Sequence, residues 1–150
     1  MIGRSGVVWL VGVTLVLVAF AVPVVLPTSF DDYRVVAVRA AQDALGQVRT
    51  VGLVVEADLE GRVLAPYVTQ VLWQARDTVG TAQSDLAGEE VPDERAGALQ
   101  RQIVPLLAES VRRVNEAGLA VDRDERAMRG AVRALRDLGE RLRAFVDGHR

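Results

Sequence analysis

Met128, Ala131, Leu135, Leu138, Leu142 and Phe145 recur every three and four residues without a miss. That spacing puts one apolar stripe along an α-helix and is incompatible with a half-buried strand, whose period is two. Three further stripes precede it. Val38, Ala41, Leu45, Val48, Gly52, Val55 and Leu59 form the first, and Leu64, Val68, Val71, Ala75, Val79, Ala82 and Leu86 the second. Val104, Leu107, Val111, Val114, Gly118 and Val121 form the third. Alternating apolar and polar residues are rare, so the expected class is all-α.

The breakers between the stripes set the expected boundaries. Gly61 and Pro66 interrupt the first, because proline removes an intrahelical donor and clashes with the carbonyl four residues back. Gly88 stops the second, and Glu89–Val91 read as a polar turn. Pro92 fits the first position of the next helix, with Asp93 and Glu94 beside the positive end of its dipole. Pro105 should kink that helix, and Gly118 reads as its C-cap. Asp31 or Asp32 is the expected N-cap of the first helix, and Asp122 with Glu125 the capping box of the last. The segments are therefore 32–60, 64–87, 93–118 and 122–147. None can bury its stripe alone, so the reading is an antiparallel bundle of four segments. A long coiled-coil hairpin, 32–87 against 93–147, is the alternative. The two halves match in length and in mid-point breaks but not residue by residue. A core rich in Val and Ala is thin, which makes oligomerisation plausible as further burial.

Ahead of the stripes, Ser5 to Phe30 holds no charged residue. Its centre, Val7–Leu26, is twenty apolar or small residues, about the 30 Å of a bilayer's hydrocarbon core when helical. Trp9 lies near one end, with Phe30 and Tyr33 beyond the other, as expected of interfacial aromatics. Residues 1–30 read as an uncleaved transmembrane signal-anchor. The same run also fits a cleaved signal peptide, with Arg4, an apolar 6–18 stretch and Ala19-Phe20-Ala21. Either way, residues 31–150 are expected to be extracytoplasmic, with a single-pass anchor leaving the N-terminus in the cytoplasm.

Composition excludes much chemistry. The chain has 150 residues, no Cys, one His and 18 basic residues, every one of them Arg. Thiolate metal sites, thiol nucleophiles and Schiff-base lysines have no residues to stand on, and a single His next to the C-terminus argues against a buried Ser-His-Asp triad. Gly-rich phosphate loops and metal-ligand spacings are missing from the sequence, so no cofactor, metal or catalytic residue is expected. Nucleic acid is a poor partner, because residues 31–150 carry 17 Arg against 20 acids.

Four groups remain as candidates. Arg126, Arg129, Arg133, Arg136 and Arg143 recur at helical spacing, either a basic interaction face for anionic lipid or an acidic partner, or a solvated surface neutralised by Asp137 and Glu140. Tyr67 and Trp73 are either interface anchors or core. Glu56, Asp58 and Glu60 sit close in sequence, and Glu56 and Glu60 share a helix face, which suits acid–base chemistry, a hard cation or simply a polar face. Asp85, Glu89, Glu90, Asp93 and Glu94 mark the tip of the central hairpin, an acidic docking tip or a solvated turn. His149 is expected in a disordered tail.

The all-Arg basic content and Val/Ala/Gly usage resemble proteins of high-GC bacteria. The layout of one span followed by helices is similar to bacterial membrane-tethered coiled-coil proteins and to extracytoplasmic helical-bundle sensor modules. That resemblance implies a membrane-anchored, non-catalytic interaction protein, an accessory subunit or scaffold at the bacterial envelope. It would act through a protein partner or a second copy. The alternative is an extracytoplasmic module that binds a small ligand or anionic lipid. A hydrolase using Glu56 and Glu60 is a third reading.

Overall fold

A computed structural model describes residues 29–150. The apolar run Val7–Leu26 and the alternative cleavage site lie outside the described residues. Among the described residues no helix is long and apolar enough to cross a membrane.

Four helices follow one another: α1 (Phe30–Leu59), α2 (Ala65–Gly88), α3 (Glu94–Val121) and α4 (Glu125–His149). Short connections force neighbours to run antiparallel. The long hairpin is excluded, because α1 packs against all three other helices. α1 and α3 meet across the bundle diagonal, whereas α2 and α4 do not approach each other. The cause is the small-residue face of α1. Ala37, Ala40, Ala41 and Ala44 are all buried, and methyl groups let helix axes come close.

Side-chain caps set three of the four helix starts, and three boundaries differ from expectation. Ser29, not Asp31 or Asp32, caps α1. Its hydroxyl accepts from the Asp32 amide, and the Asp32 carboxylate accepts from the Ser29 amide at 3.2 Å and hydroxyl at 2.6 Å. Asp31 and Asp32 then fall in the first turn, where their charges meet the helix dipole. The break at 61–66 is present, with Gly61 at φ 65° and Pro66 in the first turn of α2. Pro92 stands outside α3, because Asp93 caps it by accepting from the Ala96 amide at 2.8 Å. α3 runs on through Pro105, which faces solvent, so the carbonyl that it strands can reach water.

The end of α3 is the third difference. Gly118 lies buried inside the helix and ends nothing. Asp122 is the C-cap of α3, and Asp124 caps α4 by accepting from the Ala127 amide at 2.8 Å. Carrying α3 to Val121 keeps Ala120 buried, which a stop at Gly118 would forfeit.

The core follows the α2 and α4 stripes closely. Val68, Val71, Ala75, Val79, Ala82 and Leu86 are buried, as are Met128, Leu135, Leu138, Leu142 and Phe145. Leu64 is exposed, because it is the N-cap and not part of the helix. α1 and α3 bury wider faces than their stripes. Tyr33, Ala37, Ala40, Ala44, Val51 and Val54 join in α1. Ala96, Leu99, Ile103, Leu106, Ser110, Ala117 and Ala120 join in α3, while Val104 turns out to solvent. Ser110 is fully buried and is satisfied by donating to the Leu106 carbonyl at 2.8 Å. Glu109 locks α3 to α4 by accepting from Arg141 at 2.6 Å. Burial opposes its ionisation, but the Arg141 hydrogen bond and the charges of Arg141, Arg113 and Arg112 hold its carboxyl below the usual value.

Candidate interaction surfaces

Small residues open a groove along the α1/α4 seam. Gly52 of α1 and Gly139 of α4 lie on its floor with Val48, Val132 and Leu135, enclosing about 210 Å³. Leu53 stands on the rim, 67% exposed. Two ion pairs cross the seam at its ends, Arg49 to Glu140 and Arg136 to Glu56, each at 3.8 Å. Both are open to solvent and contribute little stability. A methyl group at Gly139 would meet Leu45, Val48 and Arg49 at 3.8–3.9 Å, and one at Gly52 would meet Leu135 at 3.9 Å. These are ordinary contacts. Gly139→Ala and Gly52→Ala should therefore each stabilise the bundle by about 0.5–1 kcal/mol, the helix-propensity gain of alanine. Urea unfolding reads this, and a loss of stability in either variant would mean that the glycines are needed for close approach.

The ion pairs separate the two expected carboxylates. Glu56 pairs with Arg136, and Glu60 pairs with Arg62 in the α1–α2 turn. Each glutamate therefore has its own cation. Among the described residues no three His, Cys, Asp or Glu side chains are grouped to hold a metal ion.

Arg126, Arg129, Arg133, Arg136 and Arg143 all lie exposed on α4. Arg129 pairs with Glu125 at 2.6 Å, and Arg143 with Asp147 at 3.6 Å. With Arg136 held by Glu56, three of the five have carboxylate partners within the chain. Arg126 and Arg133 have none among the described residues.

Tyr67 and Trp73 lie on the surface of α2, 50% and 67% exposed, and neither is core. Six helical positions separate their directions by about 120°, so they do not share a face. Leu72, the residue before Trp73, lies against Gly118 of α3 at the α2/α3 seam. Leu119, the next residue along α3, is 56% exposed. Sequence reasoning missed Leu119, because it lies off every stripe. Arg76 also reaches over Gly118, filling the space that the missing side chain leaves.

The acidic turn lies at the end of the bundle where α1 begins. Arg95, beside the Asp93 cap, stacks its guanidinium 4.5 Å from the centre of the Phe30 ring. The turn is thus close in space to the start of α1, although it is distant in sequence. The amide of Ala96 and the side chain of Arg95 hold the Asp93 carboxyl below its usual value. Tyr33 is fully buried at the same end, its hydroxyl without a hydrogen bond and Gln100 the polar side chain nearby. Burial and then the Glu89 charge push its phenol above the usual 10.0. His149 is not in a disordered tail. It ends α4 with Nδ1 2.7 Å from the Phe145 carbonyl, and its ring stacks on Phe145 at 4.4 Å.

These shifts predict how stability depends on pH. A raised phenol pKa means that stability is complete below pH 10 and is lost as pH rises through the folded value. The chain has no Lys and no Cys, so tyrosine is the side chain that titrates between pH 9 and pH 11, given ordinary values. Tyr33→Phe should abolish the alkaline fall in melting temperature. Asp32, Asp93 and Glu109 have lowered values, so their contribution is present above their ordinary 3.8–4.5 and is lost on further acidification. A melting temperature that falls equally in Tyr33→Phe above pH 10 would refute the assignment to Tyr33.

No family model, curated protein or solved structure matches this chain.

Proposed function

We propose that this protein is a membrane-anchored, non-catalytic helical interaction protein, an accessory subunit or scaffold at the bacterial envelope. In this reading Val7–Leu26 is a single-pass signal-anchor, the N-terminus is cytoplasmic and the bundle is extracytoplasmic. Its partner is a second protein or another copy of the chain. The observation that carries the reading is that the bundle completes its core while leaving Trp73 and Leu119 on the surface. An exposed Trp is the kind of side chain that dominates protein interfaces. The absence of catalysis is supported by the composition and by the separate arginine partners of Glu56 and Glu60.

The test is crosslinking and affinity purification of a C-terminally tagged full chain from native membranes, with the intact mass of the recovered chain. A full-length chain that resists alkaline extraction and brings one reproducible partner is the expected result. Trp73→Ala should lose that partner while unfolding at the wild-type midpoint. A chain beginning near Val22 in the soluble fraction, or a partner retained by Trp73→Ala, would overturn the anchored reading or the Trp73 interface respectively.

A further inference from the structure

At the end of the bundle where α1 begins, charge is divided between the two sides. The α2–α3 side holds Glu89, Glu90 and Glu94. The α1/α4 side holds a second groove of about 290 Å³, lined by Arg34, Val35, Val38, Arg39, Gln42, His149 and Arg150. No Asp or Glu side chain lines it. Arg34 pairs with Asp31 at 3.3 Å but keeps a buried Nε donor with no acceptor. Arg39 and Arg150 make no ion pair among the described residues. Val35 stands 63% exposed between the arginines.

We infer that this groove binds the phosphate groups of anionic lipid headgroups in the leaflet from which α1 emerges. The inference rests on the membrane-anchored reading. Ser29 caps α1 three residues after Leu26, so the first turns of α1 stand at headgroup depth if Val7–Leu26 spans. Guanidinium groups match phosphate oxygens with paired donors, and they stay charged at every physiological pH. An exposed valine among arginines suits the boundary between headgroups and acyl chains, where apolar groups dip in and basic groups stay at the phosphates. The acidic turn on the far side would be repelled by the same surface. The bundle would therefore lean with its α1/α4 side toward the membrane and its α2/α3 side, with Trp73 and Leu119, away from it. In this arrangement the lipid-facing and partner-facing surfaces are different.

The natural absence of Cys makes a single label simple. Val35→Cys in the full chain, carrying a polarity-sensitive fluorophore, is reconstituted in nanodiscs of neutral lipid with increasing phosphatidylglycerol. Ser84→Cys, exposed near the same end of α2, is the control. The label at 35 should become shielded from an aqueous quencher as anionic lipid rises, and the label at 84 should not. Arg34→Gln with Arg39→Gln should weaken the response about fivefold for each arginine, from the roughly 1 kcal/mol that a basic residue gains at an anionic surface. If that variant does not fold, raising salt on the labelled Val35→Cys chain reads the same contact, because screening should weaken it. Equal shielding in neutral and anionic discs would overturn the inference. So would the same shielding from inorganic phosphate in neutral discs, which would make the groove a site for free anions. A chain that never enters the discs would sink the anchored reading by itself. The groove is then decided by flotation with anionic vesicles, where binding lost in the double variant supports it and no binding overturns it.

Discussion

Leu107→Ala should destabilise the bundle by about 3 kcal/mol, within the range measured for truncating buried leucines. Leu107 is fully buried in the middle of α3, the helix that meets α1 across the diagonal. Its removal loses apolar burial and leaves a cavity. A domain of this size has about 5–15 kcal/mol in all, so adding Leu142→Ala, for about 6 kcal/mol together, should remove a large share of that stability. Leu53→Ala is the matched control. The same atoms are removed from a side chain 67% exposed, and the expected change is within about 0.5 kcal/mol. Urea unfolding followed by circular dichroism on residues 29–150 measures all three. A Leu107→Ala cost no larger than that of Leu53→Ala would mean that the described packing is wrong.

Ala41→Leu should be as damaging in the opposite direction. Ala41 is fully buried on the alanine face of α1, the helix that packs against all three others. Three added carbons must push α1 away from its neighbours or leave their rotamers, a cost of about 3 kcal/mol at the upper end of overpacking. Ala41→Ser adds one polar atom and little volume, so it separates crowding from polarity. If Ala41→Leu is neutral, the diagonal contact of α1 and α3 is not held by small residues. Larger side chains on α1 would then give a square bundle of equal stability.

The parts that local chemistry decides were readable along the chain. The periodicity of α2 and α4 named most of their buried residues, because each of these helices touches only two others, although Leu72, Val132, Gly139 and Val146 are buried beside the stripes. Gly61, Pro66 and Gly88 marked the ends of α1 and α2, because the backbone restrictions of glycine and proline act whatever the surroundings. The faces of α1 and α3 were misread for the complementary reason. Both carry small or apolar residues around much of their circumference, and which of these are buried depends on how many neighbours arrive. Caps were misread wherever several carboxylates stood close together. Asp122 and Asp124 are equally able to cap in isolation, and the choice fell to the register that buries Ala120 and Met128.

The candidate surfaces divide in the same way. The arginine repeat on α4 was plain, but the partners of Arg136 and Arg49 are on other helices and could not be read from spacing. The groove of Arg34, Arg39 and Arg150 joins residues from opposite ends of the described chain, so no local pattern could signal it.

By itself the sequence determined an all-helical chain in amphipathic segments, broken at Gly61–Pro66 and at Gly88, behind a charge-free run long enough to span a bilayer. These follow from backbone sterics and from the period of apolar residues, which are properties of single segments. Tertiary structure alone decided that α1 lies against three helices and that Trp73 is surface. It alone brought the acidic turn beside the start of α1 and gave Glu56 and Glu60 separate partners. Each of these depends on which surfaces meet, and burial is a property of the assembled bundle rather than of any one helix.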